Sequence, residues 1–555
     1  MAFNLENEKF DTLGVLKVSL HNRLHVYPII KNKILTCGRD SKCTISISHT
    51  NYISKVHFRV WCTQFDDSFD PVCYVQDMSL NGTYIFDNKK NLYQKLKKNK
   101  ISILNNKNSI MFPHEVNASI KEVKIKYIGL SIKDCSRLSS YQNIKIEKLP
   151  ESIGKWKFNE TVLGIGAFGV VFGCSEDNGQ LSCCKVIKQV LVPIRKQNSK
   201  RISHCSIFNR HYRKINNKNP LHFQKIYKET EILKSLDHPN IVQHFESRLI
   251  LNSEEHKFQE NYYYKYSNYL IYQELGSGGD LFSFLLDSKT NKLRFIPEKE
   301  AIVIVYQIVL ALKYLHEKNI AHRDLKLDNI ILFTPEPFTR IMLTDFGISK
   351  KSEPLNFDES HTNFRFKTCV GTPEYTAPEV GDFNRDTVRD LIQEKLFETE
   401  HHKRDNQKGY SQKCDIWSLG ILLYYLWTGN PFFGTQKVQD TFTDLEQQNL
   451  NSLQSWINGK VDRVVEINPV SKIGRSFLKK LLIIKEKSRL DSHGCINDTY
   501  INEHKEVLEN FYKKKVLPTV VKALPLNHAD SQNQMGSKRA VITNENGSEV
   551  TYDNN

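Results

Sequence analysis

Between residues 15 and 130 the apolar positions come in short runs, as at Lys33–Arg39, His57–Phe65, Val72–Asp77 and Val123–Leu130. Each run mixes β-branched and aromatic residues and is bounded by turn formers, so the pattern predicts strands assembled into an all-β sandwich. From Trp156 the pattern changes. Strand-like runs come first, followed by helical periodicities such as Glu298–Lys318 and Asp415–Thr428. This is an α+β layout of two lobes, a small sheet-rich one followed by a helical one. The longest apolar stretch, Ala301 to Leu315, is interrupted by Tyr306, Gln307 and Lys313. It reads as a buried helix of the second lobe rather than a membrane span.

At 555 residues the chain is too long for one core. The pattern divides it into a β domain at 15–130, a polar linker at 131–155, a two-lobed domain at 156–514 and a polar tail at 515–555. The tail is low in aromatics and is expected to be unstructured. Two inserts interrupt the larger domain: residues 188–225, with ten Lys or Arg and no acidic residue, and the charged stretch 381–409. The net charge of +16 favours acidic partners, and equally fits a lysine-rich solvated surface. The N-terminus lacks a basic region followed by an apolar core, which argues against secretion. Twelve scattered cysteines without C-x-x-C or paired Cys/His spacing read as reduced thiols and imply no zinc site.

The chemistry-bearing motifs fall in the second domain. Gly164, Ile165, Gly166, Ala167, Phe168, Gly169 and Val170 follow a strand-like run. Glycines let the backbone approach phosphates closely, but this spacing alone also describes a dinucleotide-binding turn. Lys185 then stands on a second strand-like run, where a dinucleotide fold would place a helix, and Glu229 follows as its candidate partner. Next come His322-Arg323-Asp324-Leu325-Lys326-Leu327-Asp328-Asn329, Asp345-Phe346-Gly347, Gly371-Thr372-Pro373-Glu374-Tyr375 and Ala377-Pro378-Glu379. Any one triplet arises easily by chance; the full set in this order does not.

With these motifs residues 156–514 resemble the eukaryotic protein kinases. The resemblance implies ATP and Mg²⁺ as cofactors. Asp324 would accept or orient the substrate hydroxyl proton, Lys326 would neutralise γ-phosphate charge, and Asn329 and Asp345 would hold the metal. Lys185 would pair with the α- and β-phosphates. Gln273 falls beside the adenine pocket, with Glu274 and Leu275 in the hinge. Asp415 would brace the catalytic loop, and Arg489 would pair with Glu379. Lys326 and Thr372 fit Ser/Thr rather than Tyr acceptors. Asp280 matches the acidic position that receives an Arg three residues before the target, and it also fits a helix N-cap. Thr368 and Thr372 are the candidate activation-loop phosphorylation sites, with Arg323 as the waiting cation.

The β domain carries Gly38-Arg39, Ser54-Lys55-Val56-His57 and Asn81-Gly82-Thr83. Each piece alone is commonly just a turn. Together they resemble the forkhead-associated (FHA) family of phosphothreonine readers. Arg39 and Ser54 would bind the phosphate, Lys55 would add charge, and Asn81 would hold the peptide backbone. Gly82 would permit the turn, and His57 would brace the Ser54 loop.

An FHA sandwich joined to a basophilic kinase resembles the checkpoint-effector kinases, and within them the meiosis-specific branch of budding yeasts. Val72–Tyr84, Tyr314–Leu332 with Thr334–Gly347, and Gly371–Val380 carry that likeness. It implies a nuclear, chromosome-associated enzyme, recruited to a phosphorylated chromosome-axis or checkpoint protein and dimerising on that scaffold. There it would act in recombination control and checkpoint signalling. No membrane partner is implied, and the basic insert does not by itself establish nucleic-acid binding. The alternatives are a vegetative DNA-damage effector kinase and a phosphothreonine-binding scaffold with an idle kinase fold.

Overall fold

The computed structural model describes residues 12–20, 23–48, 52–65, 70–88, 91–115, 123–129, 152–166, 169–176, 181–195, 230–259, 262–287, 289–351, 366, 370–380, 392, 395–396, 409–433, 449–520, 538–543 and 549–554. The chain divides into two compact units. The first comprises residues 1–230, 243–279 and 521–555; the second comprises 231–242 and 280–520.

The first unit opens with a β-sandwich. One sheet takes β1 (Thr12–Leu20), β2 (Arg23–Ile30), β7 (Tyr84–Asp87), β8 (Leu92–Lys95), β10 (Ser109–Met111) and β11 (Val123–Gly129), in the order β2-β1-β11-β10-β7-β8. The other takes β3 (Leu35–Gly38), β4 (Ile45–Ser46), β5 (Phe58–Thr63), β6 (Val72–Asp77) and β9 (Ile101–Ile103), in the order β4-β3-β5-β6-β9. Alternation decides which face is buried. In β11 Val123, Ile125 and Tyr127 point inward, while Lys124 and Lys126 face solvent. Leu16 and Val18 lie opposite Tyr127 and Ile125, and with Val60, Val75 and Ile110 they form the sandwich core.

A second sheet follows, built from β12 (Ser152–Ile153), β13 (Trp156–Gly166), β14 (Gly169–Glu176), β15 (Leu181–Arg195), β16 (His244–Gln259) and β17 (Tyr262–Glu274). Its antiparallel core order is β12-β13-β14-β15-β17-β16. Trp156 stacks on Tyr272 at 4.8 Å, and its indole donates to Glu246 Oε2 at 2.8 Å.

Three details depart from the sequence pattern. Ser152 and Ile153, read as linker, pair with Lys157 and Trp156. The basic insert begins inside β15, where Val190–Arg195 pair with 262–267, because Val190, Leu191, Val192 and Ile194 suit a strand. The tail is not wholly without structure: Lys538–Thr543 and Glu549–Asn554 pair with each other, and Ile542 aligns with Leu249 of β16. Val541, Ile542, Thr543, Val550, Thr551 and Tyr552 give those two segments the β-formers that the tail's overall polarity conceals.

The second unit is helical. Its main elements are α1 (Leu281–Leu285), α2 (Glu298–Glu317), α3 (Lys413–Thr428), α4 (Leu450–Asp462) and α5 (Lys472–Leu481). Glu298 and Glu300 sit in the first turn of α2, where carboxylates complement the helix dipole. Most of α2 is buried, and its one buried amide, Gln307, is fully engaged. Gln307 accepts from Asn240 Nδ2 at 2.8 Å and Ile341 N at 3.0 Å, and donates to the Thr339 carbonyl at 3.0 Å. Burial of this polar group is therefore tolerated at the centre of the lobe. The chain stays packed past 514: Val516 is buried, and Arg340 donates to the Thr519 carbonyl at 3.0 Å. Among the described residues no helix is long and apolar enough to cross a membrane, and no disulfide joins the cysteines.

Candidate active site and phosphate-reading site

The catalytic-loop residues lie between strands Ile320–Ala321 and Ile330–Leu332 in the second unit. Asp415, in the first turn of α3, anchors the loop from below. Its carboxylate accepts from the backbone N–H groups of His322 at 2.9 Å and Arg323 at 2.8 Å, and pairs with His316 Nε2 at 2.9 Å. Burial raises the cost of ionising Asp415, yet these donors hold its carboxyl below the usual carboxylate value. The clamp also fixes Arg323 at a φ of 69°, an uncommon conformation for a residue with a Cβ.

Asp324 is thereby presented to a tight group of partners. Its Oδ1 accepts from Thr372 N at 3.0 Å and Thr372 Oγ1 at 2.7 Å. Its Oδ2 accepts from Asn329 Nδ2 at 3.0 Å and lies 3.1 Å from Lys326 Nζ. Lys326 also donates to Thr372 Oγ1 at 3.0 Å. Burial would lift the Asp324 pKa, but the Thr372 hydroxyl and the Lys326 ammonium outweigh it and hold the carboxyl down. An ionised carboxylate is thus maintained beside a hydroxyl and a cation. Asp345, at a φ of 61°, follows Thr344, whose N–H donates to the Asn329 carbonyl at 3.0 Å. The Asn329 and Asp345 segments are thereby tied together.

The supporting set is also assembled. Arg489 makes two bonds to Glu379, at 2.6 and 2.9 Å, with its side chain fully buried. Arg323 donates to the Ile348 carbonyl and to Tyr410 Oη at 3.2 Å, and lies over the Phe366 ring. An arriving phosphate would have to share or displace these contacts. Asp280 caps α1, accepting from Ser283 N and Ser283 Oγ, each at 2.8 Å. His316 escaped the sequence reading, since a lone His in the last turn of a helix carries no local signal beyond the dipole preference.

The residues that the kinase resemblance assigns to the nucleotide sit in the first unit, apart from Asn329 and Asp345. Gly166 pairs with Gly169 across the tip joining β13 and β14, which carries Gly164, Ile165 and Val170 in its strands. Lys185 pairs with Val171 and Ile271, and Glu274 N donates to the Gln243 carbonyl at 2.8 Å, just before Leu275. Ala167, Phe168, Glu229, Thr368 and the Lys185 side chain lie outside the described residues, as do most of both inserts.

The sandwich gathers its own set at one edge. Gly38 is required there, since a Cβ would come within 2.1 Å of the Lys55 carbonyl oxygen. That approach lets Arg39 N donate to the Ser54 carbonyl at 3.0 Å and Asp40 N to the Lys55 carbonyl at 3.1 Å. His57 is buried behind the loop. Its Nδ1 accepts from Ser54 N at 3.1 Å, so the other nitrogen carries the proton and donates to the Gly82 carbonyl at 3.2 Å. Burial lowers its pKa, which keeps this neutral form. Ser54 Oγ accepts from Leu80 N at 3.1 Å, and Asn81 Nδ2 donates to the Tyr52 carbonyl at 3.1 Å. Gly82 takes a φ of 97°, the turn that brings Asn81 beside the Ser54 loop. Arg39, Lys55 and Asn81 are left exposed. Asp77 was not singled out from sequence, yet its Oδ1 accepts from Ser79 N, Ser79 Oγ and Thr83 Oγ1 and holds the Asn81 loop.

Comparison with known proteins identifies both domain types. Residues 158–501 match the protein kinase domain model, and residues 35–113 match the FHA domain model. The chain is 33% identical to the meiosis-specific serine/threonine-protein kinase MEK1 of Saccharomyces cerevisiae, over 90% of this chain and 87% of that protein. It is 28% identical to the meiosis-specific serine/threonine-protein kinase mek1 of Schizosaccharomyces pombe, over 91% of this chain and 88% of that protein. A crystal structure of Rad53 1-466 in complex with AMP-PNP aligns at 22% identity and a TM-score of 0.38, covering 88% of this chain and all of that one; it adds nothing to the assignment. The chain belongs to the protein kinase family, carries an FHA domain, and is similar to these meiosis-specific serine/threonine kinases.

Proposed function

We propose that this serine/threonine kinase is recruited through its FHA domain to phosphothreonine on a chromosomal scaffold and acts there in meiotic recombination control and checkpoint signalling. As a protein kinase it uses ATP and acts on proteins. The observation that carries the chemical reading is the Thr372 hydroxyl joined to both Asp324 and Lys326. A serine or threonine hydroxyl arriving at this group meets an ionised acceptor for its proton. The Lys326 cation stands ready for the charge that develops on the transferred phosphoryl group. Asn329 and Asp345 offer hard oxygen ligands of the kind Mg²⁺ takes alongside substrate phosphates, so the residues present fit that ion. When bound, the metal would neutralise charge on the phosphates. Lys185 positions the phosphates, Glu229 pairs with it, and Asp280 receives an Arg at the −3 position.

The recruitment reading rests on the exposed Arg39, Lys55 and Asn81 beside the partly exposed Ser54, and on the two meiosis-specific relatives. Its location is the nucleus, on chromosomes. Several copies gathered on one multiply phosphorylated scaffold would reach a high local concentration and could phosphorylate one another at Thr368. The test uses the full chain in meiotic cells. Arg39→Ala should lose chromosomal recruitment and Thr368 phosphorylation, and forced dimerisation of the same variant should restore activity. Normal recruitment of Arg39→Ala would sink the reading.

A further inference from the structure

β5 and β6 do not alternate as a sandwich sheet with one wet face should. All six residues of β6 are buried, and so are five of the six in β5. Val60, Cys62, Cys73 and Val75 fill the sandwich core. Trp61 and Tyr74, paired across the two strands, point the other way and are nonetheless fully buried, and Val72 joins them. Something covers the outer face of this sheet, and it lies within the same compact unit.

The cover is the nucleotide-facing side of the second sheet. Trp61, Val72 and Tyr74 form one cluster with Leu163 and Cys183, with Val171 and Leu275 packed against it. The positions of these four residues are informative. Leu163 immediately precedes the glycine loop, and Val171 follows it and pairs with Lys185. Cys183 stands two positions before Lys185, with its thiol 3.8 Å from the Glu274 carbonyl, and Leu275 comes next in the hinge. A nucleotide with its phosphates at the glycine loop and Lys185 must lay its base toward the hinge, across these four side chains. Two hydrogen bonds fasten the cover at its rim. Trp61 Nε1 at 3.1 Å and Thr63 Oγ1 at 2.6 Å both donate to the Ser277 carbonyl.

We propose that the outer β5–β6 face of the FHA domain is an intramolecular plug on the adenine wall, competing with ATP for Leu163, Val171, Cys183 and Leu275. The proposal rests on the ATP-site reading above. Ser54 precedes the start of β5 and Thr63 ends it, so the phosphate-reading loop and the rim of the plug are separated by about 20 Å of strand. A phosphopeptide can therefore be read by the plugged form. Recruitment and opening are separate steps, and nucleotide affinity falls by the fraction of molecules that are open.

The test compares the intact wild-type chain with Trp61→Arg and Thr63→Val, using a fluorescent ATP analogue and a phosphothreonine peptide. Trp61→Arg should bind the nucleotide about tenfold more tightly or better, and lower KM for ATP with little change in kcat, while peptide affinity stays at the wild-type level. Thr63→Val, which removes one rim bond, should move the same way by less. Hydroxyl-radical footprinting of the wild type supplies an arm that needs no substitution: saturating nucleotide should raise labelling of Trp61 and Tyr74. Unchanged nucleotide affinity in a peptide-competent Trp61→Arg, or unchanged footprinting, overturns the plug. Phosphoryl transfer by Asp345→Ala is read in parallel. Its loss leaves the ATP-site reading standing whatever becomes of the plug, whereas retained transfer overturns that reading and the plug with it.

Discussion

The two candidate phosphate sites of the molecule are built on opposite terms. Around Asp324 the acting groups are half-buried and held from several sides, and the brace behind them, Asp415, is fully buried. Around Arg39 the two charged groups, Arg39 and Lys55, are exposed, while the Ser54 and Asn81 side chains are tied into the loops and His57 is fixed behind them. The difference follows the task. A site that stabilises charge developing during reaction gains from dipoles that need no reorganisation. A site that reads an existing phosphate needs donors that can reach out of a rigid frame, and pays for their ordering on binding.

Replacing Asp324 by Asn tests the braced site most severely. The Asn keeps the size of the side chain but cannot take the hydroxyl proton. Transfer to a peptide should fall on the order of a thousandfold while thermal unfolding stays near wild type. A loss within a few-fold would mean that the ionised Asp324 is not the proton acceptor.

Asp415→Ala should combine loss of activity with loss of stability. It leaves the N–H groups of His322 and Arg323 and the ring of His316 without their shared acceptor, at a cost of about 3–5 kcal/mol. Denaturant titration of the second unit measures it. The same carboxyl gives a pH signature. Its folded-state pKa is depressed, so its stabilisation is present above the ordinary carboxylate range and is lost as pH falls through the folded value. Asp415→Ala should therefore flatten the acid limb of the stability profile.

Arg39→Ala addresses the exposed site. On the proposed reading it removes one charge-assisted, two-pronged contact, so phosphothreonine-peptide affinity should fall about tenfold to a hundredfold. Melting of the sandwich should be unchanged, because Arg39 contributes only its backbone to the frame, and purified protein brought to the same Thr368 phosphorylation state as wild type should turn over a peptide at the wild-type rate. An equal loss of stability would erase the contrast drawn between the two sites.

Much of this was legible before any coordinates. The two domain types, the catalytic motifs and the Arg39–Ser54–Asn81 set are carried by local runs whose residue types their chemistry demands. The Thr372–Asp324 bond, the Asp415 clamp and the Arg489–Glu379 pair fall on residues already singled out. His316 and Asp77 were not legible, because each acts through partners distant in sequence or through an ordinary turn. The covered outer face of β5 and β6 was hidden for another reason. A run such as Val72–Asp77 reads as a strand whether one face or both are buried, and the pattern does not say what covers the second face. The strands at 538–554 were concealed by the polarity of the tail around them.

The smallest expected effect concerns Asp280, where the two ways of building a site meet in one residue. Its carboxylate is already used twice, by Ser283 N and Ser283 Oγ, as the cap of α1. Burial raises its pKa, and the Ser283 bonds only partly offset that. A substrate Arg would supply the charge that burial lacks, so the carboxylate can serve as cap and receptor together. Asp280→Ala should cost about 1 kcal/mol of stability through the lost cap. It should also weaken, without abolishing, the preference for Arg at −3 in a peptide library. Asp280→Ser separates the two roles, since Ser caps nearly as well as Asp but carries no charge. If Asp280→Ser restores stability while the Arg preference stays weak, the residue reads substrate. If Asp280→Ser restores both, Asp280 is a cap and nothing more, and the −3 preference must be sought on another surface.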